Sequence, residues 1–282
     1  MHPARRLWAS LEPLHDVVYF APTVRDTGKT LGLRGFWMTY FAFRAAPLGA
    51  VGPGPVLATF AGFEPSMVAK ALPDAWTRTT PAACLAARLE VSAAALRGLV
   101  DEQACGEVVP VLAPVLAAAD PTGRPLYAAN AGLPLPADEV GALWQLATTL
   151  REHRGDGHVA ALVANGVTGL EALLLQTGAG TFPDEVLRTV RGWSEQWWSA
   201  AAAGLRERDL LTGDGALTSV GRALLDDVEA RTDAASWNGC LAALGEEGAR
   251  RLVEVLAPSV EAVWSSGILP EVNPTGLRRQ SA

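Results

Sequence analysis

Between positions 151 and 158 the chain reads Arg-Glu-His-Arg-Gly-Asp-Gly-His, which sets two imidazoles, His153 and His158, on either side of the Asp156 carboxylate. Imidazole and carboxylate are the usual groups for proton transfer near neutral pH. Leu143, Leu146, Ala147 and Leu150 recur at helical spacing and put His153 on the inward face of the helix they define. Gly155 stands where a left-handed C-terminal cap is expected and Asp156 where the next helix takes its N-cap, so the spacing predicts a sharp corner over residues 154–157. At such a corner the negative end of the first helix favours protonated His153 and the positive end of the second keeps His158 neutral, giving a catalytic acid beside a base. The same residues also suit a purely architectural role, with Asp156 capping, Gly155 terminating and one histidine hydrogen-bonded in the core.

His15, flanked by Asp16 and Tyr19, is eligible as a third member of that site. A separation of five between His153 and His158 is not the i, i+4 pair that one helix offers a metal, so no metal site is expected. Trp37, Tyr40, Phe41 and Arg44 share one helical face, and an arginine at the end of an aromatic wall can clamp the carboxylate or phosphate of an otherwise apolar ligand. His15, Tyr19, Trp37, Tyr40, Phe41 and Arg44 are therefore the candidate ligand-binding residues, with ordinary core packing as the competing explanation. No cofactor is expected. GPGPVL at 52–57 lacks the third glycine and following helix of a dinucleotide loop, and neither a P-loop nor a G-x-S-x-G elbow occurs.

These residues need elements to hold them. Leu7, Leu11, Leu14 and Val18 mark an amphipathic helix over about 3–20, kinked or restarted at Pro13. The aromatic run 36–44 follows, then a Gly/Pro loop at 47–55, a helix from Pro65, and another capped by Thr80 before Pro81. Four prolines and two glycines make 120–136 the best linker between a helical half, 1–119, and a second half, 137–270; residues 271–282 form a flexible tail. In the second half, helices over 158–164 and 168–176 divide at Asn165-Gly166, and Ser194 caps a helix over 195–208. A small β-hairpin is expected around Gly213-Asp214-Gly215, before helices over 219–232 and 245–264.

Composition narrows the setting. The chain has 282 residues, 49% hydrophobic and 19% charged, with a net charge of -7, which disfavours general coating of nucleic acid. Cys84, Cys105 and Cys240 are few, odd in number and far apart, so neither a disulfide framework nor a cysteine zinc site is indicated and a reducing cytoplasm fits best. The charged start with Pro13 is unlike a signal peptide, and no stretch approaches the length of a membrane span.

The order helix, helix, long capped helix, two-stranded wing, helix is carried by GWSEQWWSAAAAGLRERDLLTGDGALTSVGRALLDDVEARTD. This segment resembles the winged helix-turn-helix of MarR-like regulators. Together with EPLHDVVYFAP, RGFWMTYFAFRAAPLG and REHRGDGHVAAL, the chain resembles an uncharacterised actinobacterial helix-turn-helix family over nearly its whole length. The resemblance implies a mainly α fold, with a winged C-terminal half packed on an N-terminal helical half. It also implies a recognition helix before the hairpin, on which Arg206 and Arg208 are the candidate DNA-contacting residues. Glu195, Glu207 and Asp209 surround that helix and Asp214 sits at the wing tip, so a carboxylate would face phosphate and DNA contact is expected to be weak or lost. The leading expectation is a small-molecule-binding protein related to ligand-responsive regulators, taking a small apolar or aromatic ligand. The alternatives are an enzyme using His153, Asp156 and His158 for proton transfer, and a true MarR-like transcription regulator. Trp193, Trp197 and Trp198 can form the seam of a homodimer.

Overall fold

The computed structural model describes residues 1–271 together with 273, 275, 277 and 279; most of the tail expected over 271–282 lies outside them. In chain order the helices are α1 (Pro3–Phe20), α2 (Val24–Thr30), α3 (Gly35–Ala45), α4 (Pro53–Thr59), α5 (Pro65–Ala71), α6 (Asp74–Arg78), α7 (Pro81–Leu96) and α8 (Glu102–Ala117). They continue as α9 (Pro125–Ala131), α10 (Glu139–Ala164), α11 (Gly169–Gly178), α12 (Asp184–Val190), α13 (Glu195–Glu207), α14 (Ser219–Gly239) and α15 (Gly245–Ser265).

Local signals fix most of the starts. Thr80 accepts from the Ala83 amide at 3.1 Å, with Pro81 in the first turn, and Ser194 accepts from the Trp197 amide at 3.3 Å. Thr168 and Glu171 form a reciprocal capping box on α11. Pro13 does not break its helix: α1 runs through it to Phe20. The stretch 120–136 carries α9, whose buried Tyr127 places its hydroxyl within reach of the Leu116 and Ala119 carbonyls.

Two expectations are overturned. The corner at 154–157 does not exist, because α10 is one continuous helix from Glu139 to Ala164. Gly157 serves close approach instead: a Cβ there would meet Arg124 Nη1 at 3.0 Å and Ala235 Cβ at 3.3 Å. The hairpin wing is also absent among the described residues. Between α13 and α14 a single antiparallel bridge joins Leu211 to Leu217, and the Thr212 amide donates to the Ala216 carbonyl at 2.8 Å. Leu217 turns its amide to the Gly178 carbonyl of α11 rather than extending a ladder, so the segment is a pinned turn.

Two apolar cores result. The first draws on both sides of the 120–136 stretch, through Leu7, Leu11 and Leu14 of α1, Phe41 of α3, Leu112 of α8, Leu143 and Trp144 of α10, and Leu256 of α15. It also encloses the three cysteines, all unpaired thiols. The second gathers Ala161 and Leu162 at the end of α10 with Leu174 and Leu175 of α11, Leu187 of α12, Trp198 and Leu205 of α13, and Val228 of α14. Helix α10 contributes to both cores. Of the expected tryptophan seam, Trp198 is buried with its Nε1 on Asp184, Trp193 donates to the Gly62 carbonyl, and Trp197 is 61% exposed. No single helix among the described residues is long and apolar enough to cross a membrane.

Candidate functional site

A cavity of about 560 Å³ lies where the two cores meet. Its floor is one stripe of α10, Arg151, Arg154, His158 and Leu162, at helical spacings of three, four and four. At 1.5 Å per residue the stripe spans about 16 Å, charged at one end and apolar at the other. Trp8 of α1, Tyr40 and Arg44 of α3, and Phe60 form one wall. Leu173 and Leu175 of α11, Leu187 of α12, and Leu225 and Glu229 of α14 form the opposite one. The walls are tied together near Gly62, where the Glu64 amide donates to the Arg191 carbonyl at 3.0 Å and the Trp193 indole to the Gly62 carbonyl at 2.7 Å.

The charged end is an ordered ion-pair network. Arg44 reaches both oxygens of Glu152 at 3.0 Å each and gives its remaining terminal nitrogen to the Tyr40 hydroxyl at 3.2 Å. Arg151 donates to Glu152 at 2.8 Å and to Glu12 at 3.3 Å, and Glu12 also accepts from the Trp8 indole at 2.8 Å. Burial alone would raise the Glu152 carboxyl, but Arg151 and Arg44 outweigh it and hold the group below the usual carboxylate range. At Glu12 burial wins over Arg151, and the carboxyl is raised. Arg154 holds Asp233 at 2.9 Å and Glu229 at 3.2 Å, and its guanidinium lies 4.7 Å from the Trp8 ring centroid. Arg191, another lining residue, stands 4.4 Å over the Phe63 ring.

His158 faces the cavity in one tautomer. Its Nδ1 lies 3.1 Å from Thr232 Oγ1, and that hydroxyl gives its hydrogen to the Val228 carbonyl at the shorter distance of 2.7 Å. Nδ1 therefore carries the proton and Nε2 presents a lone pair. Burial, aided by Arg154 and opposed by Glu229, lowers the His158 pKa and favours the neutral ring.

Of the residues expected from sequence, Tyr40, Arg44 and His158 line this cavity. His153 and Asp156 face elsewhere. The His153 ring is wholly buried 4.9 Å from the Tyr127 ring, and neither ring nitrogen has a hydrogen-bond partner. Burial, then the Arg124 charge, pushes His153 down to about 4. Asp156 accepts from the Tyr127 amide at 2.9 Å, serving the first turn of α9, and burial pushes it up to about 6. Both sit inside a helix, so the expected tuning by opposite helix ends has no basis.

His15 is buried between Thr148 at 2.9 Å and the Tyr19 hydroxyl at 3.0 Å, and burial lowers its pKa well below the ordinary value. Tyr19 stacks at an angle on Tyr40, their ring centroids 4.9 Å apart, one layer behind the cavity wall. Trp37 and Phe41 pack on Phe63 at 5.9 Å and 5.0 Å. On α13, Arg206 donates to the Thr212 carbonyl at 3.2 Å and Arg208 pairs with Glu171 at 2.8 Å. Sequence reasoning missed Arg151, Glu152 and Arg154, which the false corner hid; once the helix is continuous, Arg151, Arg154 and His158 fall on one face. No group of three or more metal-ligating side chains occurs among the described residues.

The chain matches the profile of the helix-turn-helix family over residues 4–270, and it belongs to that family. No curated protein and no solved structure gave a match.

Proposed function

We propose that this chain is a small-molecule-binding member of the helix-turn-helix family, related to MarR-like ligand-responsive regulators, in which contact with DNA is weak or lost. The observation that carries the reading is the cavity of about 560 Å³ between the two cores, with a wall from each. Its size suits small-molecule pockets, which run from roughly 300 to 1,000 Å³ and combine apolar lining with a few placed polar groups. Phe60, Leu173, Leu187 and Leu225 accommodate an apolar or aromatic body, and Tyr40 and His158 offer polar contacts.

The arginines expected to meet DNA support the second half of the reading. Arg208 is engaged by Glu171, Arg206 by a carbonyl of the following turn, and the single-bridge turn carries Asp214, a carboxylate that would repel phosphate. Of the residues once grouped for proton transfer, His158 alone faces the cavity, which favours binding over turnover.

Native mass spectrometry of the purified chain tests the reading. A small molecule that copurifies, and that is lost when Ala172→Trp fills the cavity, is the expected result. Gel shift with the gene's upstream region at physiological salt should show no retention. Tight, salt-resistant retention with no copurifying compound would overturn the reading in favour of a DNA-bound regulator.

A further inference from the structure

All three nitrogens of Arg44 are already engaged, on Glu152 and Tyr40, so the arginine that sequence singled out as an anion clamp has no wholly uncommitted nitrogen. The next two arginines differ. Arg151 uses Nε on Glu12 and Nη1 on Glu152, and Arg154 uses Nη2 on Asp233 and Glu229. Among the described residues, Arg151 Nη2 and Arg154 Nη1 have no protein acceptor, and neither is sealed from the cavity that both side chains line. Arg154 also holds its Nε buried without a partner, and its side chain is only 9% exposed.

We propose that the ligand is an organic oxyanion on an apolar body, and that its anionic group lodges between Arg151 and Arg154. The proposal deepens the small-molecule reading and rests on it. Residues at i and i+3 of a helix stand about 5–6 Å apart at Cβ, so two guanidiniums at that spacing can each donate to a different oxygen of one carboxylate, sulfonate or phosphate. Both are held in place by carboxylates, Arg151 by Glu152 and Glu12 and Arg154 by Asp233 and Glu229, so little side-chain freedom is lost when an anion arrives. Beyond Arg154 the floor passes His158 and turns apolar at Leu162, facing Leu173 and Leu175, so the ligand's body extends along α10 away from the charged end.

Two fluorescent probes that share an aromatic body separate the contributions: 1-anilinonaphthalene-8-sulfonate, which is anionic, and N-phenyl-1-naphthylamine, which lacks the sulfonate. Titration of the full chain should show one sulfonate site per chain, at least tenfold tighter than the neutral amine. The double variant Arg151→Gln/Arg154→Gln should weaken the sulfonate at least tenfold and leave the amine within about twofold. Should that variant fail to fold, Arg154→Lys retains a charge against Asp233 but loses the forked donor, and should weaken the sulfonate at least threefold. Ala172→Trp should abolish binding of both probes. If Ala172→Trp abolishes both probes but the two bind equally, or the arginine variants leave the sulfonate unchanged, the oxyanion proposal is overturned while the cavity reading stands. If neither probe binds, or Ala172→Trp leaves binding intact, the cavity reading falls and the proposal with it.

Discussion

Arg44 meets Glu152 with two parallel hydrogen bonds of 3.0 Å, joining α3 to the middle of α10 where the side chains are 10% and 2% exposed. The same carboxylate also holds Arg151 at 2.8 Å. Removing one member of a buried ion pair strands the others without water, at a cost of about 3–5 kcal/mol. Glu152→Gln should therefore lower the urea-measured stability by about that amount. A loss within the range of an exposed pair, under about 1 kcal/mol, would show that solvent reaches the network.

His153 and Asp156 should pull the pH dependence of stability in opposite directions. His153 falls from its ordinary 6.5 to about 4 in the folded chain, so between those values the unfolded chain takes up the proton and stability declines as pH drops. Asp156 rises from 3.8 to about 6, so in its window the folded chain takes up the proton first and stability increases as pH drops. Over pH 4–6 the two effects oppose each other. Relative to the parent, His153→Met should gain about 2–3 kcal/mol on acidification from pH 6.5 to 4, and Asp156→Asn should lose a similar amount from pH 6 to 4. Denaturant melts at half-unit pH steps read both slopes, and parallel curves for all three proteins would refute the assignment.

The fixed tautomer of His158 is directly observable. At pH 7 its imidazole ¹⁵N resonances should report a protonated Nδ1 and an unprotonated Nε2. Thr232→Val removes the acceptor and should produce a mixture of tautomers. An Nε2-protonated ring in the parent would contradict the hydrogen-bond order inferred from the Thr232 and Val228 distances.

Gly169 opens α11 directly against Gly62, where an added Cβ would fall on the Gly62 backbone nitrogen. That contact draws the second core onto the cavity's aromatic wall. Gly169→Ala should destabilise by about 1–3 kcal/mol, as overpacking does, and should loosen whatever the cavity holds. Unchanged melting and unchanged probe affinity would mean that the loop at Gly62 yields freely.

Helix capping was the most legible feature of the sequence. Thr80, Ser194 and the Asn165-Gly166 break sit where the side-chain chemistry places them, because each acts within a few residues of itself. The false corner at 155 has the opposite cause. Gly155 and Gly157 look like punctuation locally, yet α10 runs through both, and at Gly157 it packs against Arg124 and Ala235 of α14. The wing failed for a related reason, since the Leu217 amide goes to Gly178, a partner nearly forty residues away in sequence. At the site, an arginine at the end of an aromatic face was readable. Its capture by Glu152, more than a hundred residues on, depends on how α3 meets α10.

The three thiols give the molecule an internal clock for one half only. Cys84, Cys105 and Cys240 all belong to the first core, and burial pushes them up to about 11, 11 and 12, so in the closed chain they are protonated and out of reach of alkylating reagents. Trp198, by contrast, sits in the second core. Comparing the rate of iodoacetamide capture with the exchange of the Trp198 indole hydrogen in mild urea times the opening of each half separately. Because α10 threads both, the two clocks should keep the same time.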